Sequence, residues 1–200
     1  ESVISGFLPN KAFLTQKYEY ILPENKRKSK FRPIVVGFGP AGMFAALTLA
    51  KAGLRPIVFE RGGDVDSRTK SVNTFWNEHK LDTESNVQFG EGGAGTFSDG
   101  KLTTGIKDPR CREVFIQFAK FGAPEEILYS ATPHIGTDKL KTVVKNLREE
   151  VILLGGEVKF NTKLTDLIIA NGALQGISYT DETGSYDIET DAAILAIGHS

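Results

Sequence analysis

The sequence predicts an α/β fold with a parallel sheet, helices on its faces and an inserted antiparallel β-meander. Within residues 33–60, a β-branched strand, a glycine turn, a helix and a second strand follow one another directly. A right-handed crossover makes the two strands of such a unit parallel neighbours. Between residues 167 and 188, alternating apolar segments with turns at Asn171-Gly172 and Thr183-Gly184 are typical of a meander.

Apolar spacing and glycine and proline signals predict the other elements. The helix after the glycine turn should end at Gly53, the residue type favoured just past a helix C-terminus. Asp108-Pro109 supplies an N-cap and a first-turn proline for a later helix, and Thr137 can cap the longest one. The predicted helices are 41–52, 64–77, 108–122 and 137–154, and the predicted strands outside the meander proper are 33–36, 56–60, 157–160 and 192–197.

Two regions are distinguished along the chain. Residues 1–31 lack a clear period, contain Pro9 and Pro23 and close with a lysine-rich stretch, which indicates a lead segment or linker from a preceding region. Residues 32–200 are predicted to form the main domain. The chain begins at Glu1 without an initiator methionine and stops just after an apolar run. We therefore expect a fragment of a larger protein, with its substrate domain and a C-terminal cofactor motif largely absent.

Size and composition are those of a folded globular protein. The 200 residues are 40% hydrophobic and 24% charged, which excludes a disordered or collagen-like chain. A net charge of -1 gives no global field for a polyanion, so no nucleic-acid partner is predicted. No apolar run approaches the roughly 18 residues of a membrane span, and no signal peptide opens the chain. A soluble protein without a membrane partner is therefore predicted.

The cysteine and histidine content argues against disulfide and metal chemistry. Cys111 is the single cysteine, so no intrachain disulfide, cysteine zinc site or dithiol pair can form. The 3 histidines are scattered without paired spacing, and we expect no metal site. A reducing cytoplasm is the simplest compartment for such a chain.

The sequence GFGPAG directly follows a strand and opens a helix. Gly37 permits the tight turn, Gly39 lets the backbone approach a pyrophosphate, and Gly42 lets the helix sit close on the strand. The helix N-terminus presents free N–H groups and a partial positive charge to phosphates, and Pro40 loses nothing there because its N–H would be unpaired. The motif predicts nucleotide binding, with Ala41 among the residues at the phosphates.

An acidic residue ends the second strand. Glu60 stands 21 residues after Gly39, where a carboxylate accepts hydrogen bonds from an adenosine ribose and repels a 2′-phosphate. Strand, turn, helix, strand and terminal acid agree with one another, so we predict a Rossmann-like dinucleotide-binding domain of the FAD/NAD(P) type. The alternative for Glu60 alone is a solvated charge at a strand end.

Longer runs of the chain resemble known flavoproteins. The superfamily that includes the glutathione-reductase-type oxidoreductases has an FAD-binding start, which this chain resembles in the run IVVGFGPAGMFAALTLAKAGLRPIVFERG. A narrower group, the uncharacterised bacterial FAD-dependent dehydrogenases, is similar in the stretches NVQFGEGGAGTFSDGKLTTGIKDPRC, PHIGTDKL and ILAIGHS. The resemblance covers roughly residues 32–200, and it implies that the chain is a fragment of a larger flavoprotein with an FAD-binding Rossmann-like domain.

This resemblance implies that FAD binds in an extended conformation, with its AMP half held by the glycine turn and Glu60. It also implies that Arg61 completes the Glu-Arg pair common at the end of the second strand, and that the backbone at Val158 contacts the adenine. The sequence LAIG takes the place of a second motif of the ATG kind and brings Gly198 to the cofactor. It departs from that motif because Ile197 stands where threonine is common.

A glycine-rich loop at residues 90–101 holds five glycines in twelve residues. Glycines at this density let main-chain N–H groups crowd against a flat or anionic ligand. We expect this loop, with Gly92 and Gly93, to lie along the pyrophosphate and the isoalloxazine edge; the alternative is an ordinary surface loop. Arg68, shortly after the second strand, could reach a phosphate, with a surface salt bridge as the alternative.

No motif identifies the catalytic residues, and two candidates are chosen by their position alone. Lys101 could place a positive charge near the flavin N1–C2 carbonyl, where reduction accumulates negative charge. His134 could transfer a proton, since it lies in a loop just before a helix. The alternatives are a solvated lysine and a non-catalytic histidine.

The leading hypothesis for function is an FAD-dependent oxidoreductase, a dehydrogenase that passes a hydride or an electron pair through bound flavin, with NAD(P)H as a candidate donor. Its partner is a small-molecule substrate or electron acceptor, and its oligomeric state stays open. The alternatives are an NAD(P)-binding dehydrogenase domain and a non-catalytic flavin-binding or sensor module. A flavoprotein that modifies RNA would need a basic face, which the net charge does not suggest.

Overall fold

The computed structural model describes residues 18–98 and 100–198, which form seven strands and four α-helices. The strands are β1 (Ile34–Val36), β2 (Ile57–Phe59), β3 (Glu157–Lys159), β4 (Lys163–Ala170), β5 (Ala173–Asp181), β6 (Gly184–Glu189) and β7 (Ala193–Leu195). The helices are α1 (Pro40–Lys51), α2 (Val65–Glu78), α3 (Arg110–Lys120) and α4 (Thr137–Leu153). Short 3₁₀ helices span Ala94–Phe97 and Glu125–Leu128.

The strands form two sheets. Four of them make a parallel sheet in the order β3-β2-β1-β7, and the other three make an antiparallel meander in the order β4-β5-β6. In the parallel sheet, Val35 lies opposite Val58 on one side and Ile194 on the other. The first two strands and α1 are the predicted βαβ unit. The predicted fold class, an α/β domain with a parallel sheet and an inserted meander, is therefore confirmed.

Alternate residues of the buried strands face two different layers. Val35 and Val58 point into a core that they share with apolar residues of α1, α3 and α4. Their neighbours Ile34, Val36, Ile57 and Phe59 point the other way and pack against Ile177 and Tyr179 of the meander. This explains why the sequence of β1 and β2 is almost entirely apolar, since both faces of these parallel strands are covered. The order of layers is helices, parallel sheet, meander, so α1, α3 and α4 lie on one face of the sheet and the meander covers the other.

The elements agree with the sequence prediction apart from local shifts at turns and caps. Asn171 and Gly172 both have positive φ, at 54° and 74°, as the two-residue hairpin between β4 and β5 requires. The turn between β5 and β6 falls at residues 182–183, one position before the predicted pair. Thr137 is not the cap of α4, because Gly136 takes the N-cap position and the threonine hydroxyl donates to the Ser98 carbonyl.

The described part of the predicted lead segment, residues 18–31, contains no helix or strand. Its Arg27 guanidinium donates to the Asp191 carboxylate, which ties the segment to the start of β7. Residues 1–17 lie outside the described residues, as do His199 and Ser200. Within the described ranges, no helix combines the length and the apolar character needed to cross a membrane.

Substitution of Ile177 tests the contact between the parallel sheet and the meander. Ile177 is fully buried between the two, so Ile177→Ala should lower the free energy of unfolding by about 2 to 5 kcal/mol in a denaturant titration. Ile169, on the neighbouring strand, is 62% exposed, and Ile169→Ala should change stability by no more than about 0.5 kcal/mol. Equal effects of the two substitutions would contradict this packing.

Candidate functional site

A cleft of about 690 Å³ opens at the carboxyl ends of β1, β2 and β7. This is the edge of a parallel sheet at which open α/β folds bind their ligands, and the volume is in the usual range for a small-molecule site. The cleft is lined by backbone and side chains of three segments that meet there. They are the β1–α1 turn with the residues after β7, the loop 88–94 beside residues 59–61, and Thr162–Leu164 at the start of β4.

The three glycines of the β1–α1 turn serve different needs. Gly37 has φ 95°, and a Cβ there would lie 2.5 Å from the Ala196 carbonyl oxygen. A Cβ on Gly42 would lie 1.9 Å from the Gly37 carbonyl oxygen, so both residues are glycine because the backbone packs against them. Gly39 differs, since its φ is -75° and the nearest heavy atom to a Cβ would be 3.8 Å away, in Gly93. The fold does not require glycine at this position, but free access to the cleft does.

The N-terminus of α1 is an open anion-binding position. No side chain caps this helix and its first turn carries no acidic residue, so its first N–H groups and partial positive charge are available to a ligand. Gly39, Pro40 and Ala41 of this turn line the cleft. A pyrophosphate fits this position better than any neutral group, because backbone N–H groups and a helix N-terminus bind phosphates.

Glu60 is the carboxylate at the base of the cleft. It is only 4% exposed, and its two oxygens accept hydrogen bonds from the Phe38 N–H (2.7 Å) and the Gly62 N–H (2.9 Å). These bonds hold the side chain in one orientation and tie the β1–α1 turn to the end of β2. A carboxylate oxygen can accept more than one hydrogen bond, so Glu60 keeps acceptor capacity for hydroxyl groups in the cleft, which it lines.

Arg61 belongs to a charged rim beside Glu60. Its guanidinium contacts the Glu84 carboxylate at 2.8 Å and stacks 4.4 Å from the centroid of the Phe89 ring. Lys163 lies 3.5 Å from the other oxygen of Glu84. Glu84 therefore links the two sides of the cleft, the end of β2 and the start of β4.

The glycine-rich loop is hydrogen-bonded to the β1–α1 turn and to the segment that follows β2. Glu91 N–H donates to the Gly63 carbonyl and Gly92 N–H donates to the Phe38 carbonyl. Gly93 lines the cleft opposite Gly39. Gly92 does not line it; its φ is 83° and a Cβ would lie 2.0 Å from the Thr96 hydroxyl oxygen, so this glycine serves packing within the loop. The loop is thus a fixed wall of the cleft.

Arg68 occupies a different place from the one expected. The side chain is fully buried and donates hydrogen bonds to backbone carbonyls of residues 86–91. It neither lines the cleft nor forms a surface salt bridge, which corrects both sequence-based expectations. The reason is its position on the first turn of α2, whose buried side faces the loop 86–91.

Val158 also lies outside the cleft. It is the middle residue of β3, opposite Val58, and its side chain packs on the helix layer. The residues that reach the cleft beyond this strand are Thr162, Lys163 and Leu164. The chain is held beside the end of β2 there, because the Asn161 N–H donates to the Gly62 carbonyl and the Thr162 N–H donates to the Glu60 carbonyl. Gly198, with φ 69°, lines the cleft after β7.

The two catalytic candidates are brought together away from the cleft lining. Lys101 and His134 form an isolated antiparallel bridge, flanked by hydrogen bonds from Leu102 N–H to the Pro133 carbonyl and from Ile135 N–H to the Gly100 carbonyl. Residues paired in this way carry their side chains on the same side of the ribbon. Both residues are exposed. No group of three or more His, Cys, Asp or Glu side chains that could hold a metal ion occurs in residues 18–98 and 100–198.

Glu91 is a buried carboxyl that the sequence reasoning missed. One oxygen accepts hydrogen bonds from the Val65 N–H (2.7 Å) and the Arg148 guanidinium (2.9 Å), while the other is buried without a hydrogen-bond partner among the described residues. Burial raises the pKa of this carboxyl above the ordinary glutamate value, against the lowering effects of Val65 and Arg148. The one available signal was an acidic side chain within a run of glycines.

The raised pKa of Glu91 gives stability a dependence on pH. The folded protein holds this proton at pH values where the unfolded chain has lost it, so this contribution to the free energy of unfolding falls as pH rises from about 4.5, the ordinary glutamate pKa. Glu91→Gln stays neutral and should flatten the decline, which for one proton is at most about 1.4 kcal/mol per pH unit. Denaturant titrations across this range check it, with the exposed Glu189→Gln as control. Parallel curves for wild type and Glu91→Gln would contradict it.

Residues 32–76 match a family model described as an FAD binding domain. This segment contains β1, the glycine turn, α1, β2 and most of α2. These elements build the part of the cleft that holds Gly39 and Glu60. The match is therefore to the residues whose geometry suits a pyrophosphate and a ribose.

Two curated relatives extend the similarity along the chain. An uncharacterized protein of Clostridium beijerinckii is 58% identical over 171 residues, which are 86% of this chain and 31% of that protein. Digeranylgeranylglycerophospholipid reductase 2 of Methanococcoides burtonii is 27% identical over 172 residues, which are 86% of this chain and 38% of that protein. The chain thus spans about a third of the length of these relatives.

The architecture is also found among solved structures. The crystal structure of Thermovibrio ammonificans THI4 superposes with a TM-score of 0.54 at 17% identity, covering 84% of this chain and 58% of that chain. This likeness shows a shared fold. Residues 32–76 are similar to an FAD-binding domain.

Proposed function

We propose that the cleft binds FAD and that the protein is an FAD-dependent oxidoreductase of the glutathione-reductase-type superfamily. The observation that carries the proposal is the contrast within the glycine turn. Backbone packing requires glycine at positions 37 and 42. Gly39 is open to the cleft, and the fold itself would accept a side chain there. Position 39 stands at an uncapped helix N-terminus beside a buried carboxylate, the combination that a dinucleotide needs.

Each part of the cleft has a task in holding the nucleotide. The first N–H groups of α1 would bind the pyrophosphate, with Gly39 and Gly93 giving it close access to the backbone. Glu60, already fixed by two backbone N–H groups, would accept hydrogen bonds from ribose hydroxyls without reorganising. Phe89 and the residues from Thr162 to Leu164 would enclose the adenine end.

The reaction class follows from the cofactor. FAD, when bound, supplies two-electron redox chemistry, and the protein contributes binding, orientation and electrostatics. Lys101 and His134 stay our candidates for charge stabilisation and proton transfer, and the bridge holds them side by side. The partner would be a small-molecule substrate or electron acceptor, with NADH or NADPH as donor.

Gly39→Val tests the cofactor site. A valine at this position has an ordinary φ and no heavy atom closer than 3.8 Å to its Cβ, so the variant should fold and melt close to wild type. Its side chain would enter the cleft, and purified full-length protein should lose bound FAD and its yellow colour, with affinity reduced at least about tenfold. Gly105→Val is the matched control, because nothing lies within 4 Å of a Cβ there. A folded, fully yellow Gly39→Val protein would sink the assignment.

Anaerobic titration tests the reaction. The absorbance spectrum of the full-length protein should show flavin bands that bleach when NADH or NADPH is added, and mass analysis of the released cofactor should identify FAD. Bands that persist with both donors would contradict nicotinamide reduction, leave the electron donor open and favour a flavin-binding module. A colourless protein that binds NAD would overturn the choice of cofactor.

A further inference from the structure

We propose that Arg68 is the positioning residue of the cofactor cleft, a buried guanidinium that shapes the wall formed by residues 86–91 without touching the ligand itself. This inference rests on the proposed function, because it assigns the wall a task in FAD binding. It differs from the phosphate contact expected from the sequence, since the guanidinium acts through the loop. Four observations support it: the hydrogen bonds of the Arg68 side chain, its burial, its close contact with Gly90 and the lining of the cleft.

The Arg68 guanidinium donates hydrogen bonds to several backbone carbonyl groups of residues 86–91. Nε donates to the Asn86 carbonyl (2.8 Å), one terminal nitrogen donates to the Val87 carbonyl (2.7 Å), and the other donates to the Glu91 carbonyl (2.6 Å) and, more weakly, to that of Gly90 (3.4 Å). All five N–H groups of an arginine lie in one fixed plane. The segment is therefore folded around a rigid template.

The charge of Arg68 is held inside the protein. The residue is 0% exposed, and its guanidinium lies 4.8 Å from the centroid of the Phe97 ring. Burial lowers its pKa to about 10, while the carboxylates of Glu60 and Glu91 oppose that shift. The side chain thus stays charged at neutral pH. A buried cation is costly unless hydrogen bonds satisfy it, so the carbonyls are bound firmly.

Gly90 is shaped to admit this side chain. Its φ is 113°, and a Cβ on it would lie 2.5 Å from Cδ of Arg68. The same residue lines the cleft, together with Gln88 and Phe89. One face of the segment thus contacts the arginine and the other faces the cleft, so the position of the arginine determines the shape of the wall.

This arrangement favours an anionic ligand in two ways. The carbonyl oxygens of the segment accept hydrogen bonds from the Arg68 guanidinium. Their partial negative charges are therefore compensated by a cation beside the cleft. A wall held in place before binding also avoids the ordering cost that a mobile loop would add to the binding free energy. Loss of the guanidinium should therefore weaken FAD binding even when the protein stays folded.

The test compares Arg68→Ala and Arg68→Lys with Arg32→Ala. Arg32 is a matched control, because it also donates to backbone carbonyls, those of Arg55 and Pro56, and to Glu157, but at the opposite end of the strands. In the full-length protein, Arg68→Ala should weaken FAD binding by about tenfold to a hundredfold at a temperature where it is folded. Arg68→Lys, which keeps the charge and loses the fork, should fall between, and Arg32→Ala should bind like wild type.

Two further readouts separate positioning from general stability. Amide hydrogen exchange in the ligand-free Arg68→Ala protein should rise in residues 86–93 and stay unchanged in β5. Added guanidinium, which can fill the space left by the side chain, should restore part of the FAD affinity of Arg68→Ala, whereas ammonium should not. Wild-type FAD affinity in folded Arg68→Ala, or exchange that rises equally everywhere, would overturn the proposal. If wild type itself binds no FAD while exchange rises only in residues 86–93, the role of Arg68 in holding the wall stands and the proposed function fails.

Discussion

The structure depends on one close approach of backbone to backbone, where β1, α1 and β7 meet. A single Cβ at Gly37 would collide with the Ala196 carbonyl, and one at Gly42 would collide with the carbonyl of Gly37 itself. Because no side chain separates these segments, the helix N-terminus is brought directly to the carboxyl edge of the sheet. The cleft, its positive helix end and its lining of main-chain atoms all follow from this contact.

The same region buries ionised or ionisable side chains and satisfies them mainly with backbone. Glu60 accepts from two N–H groups, Arg68 donates to several carbonyls, and Glu91 accepts from the first residue of α2. Each of these bonds joins a turn or a loop to a neighbouring element. Buried charges are expensive unless paired, so they fix the segments they contact. Loops that carry so many glycines become ordered walls through these three side chains.

Local rules made much of the fold predictable, and long-range contacts account for what was not. The glycine turn, Glu60 and the Asn171-Gly172 hairpin follow from requirements of a few neighbouring residues. The burial of Arg68 depends on a loop almost twenty residues further along, and nothing in the local sequence distinguishes it from a surface arginine. Val158 was assigned to the cleft by resemblance, yet Thr162 and the two residues after it line the cleft instead, held by a long-range hydrogen bond from the Thr162 N–H to the Glu60 carbonyl.

The pairing of β1 with β7 also sets an order of events during synthesis. Val36 lies opposite Leu195, so the strand that completes the floor of the cleft is made long after the glycine turn, on the order of ten seconds at ordinary rates of translation. Until then, the βαβ unit exposes the free edge of β1 and an apolar face intended for the meander. Contacts so distant in sequence form slowly. Every helix of the helix layer is therefore synthesised before the strand that completes the cleft.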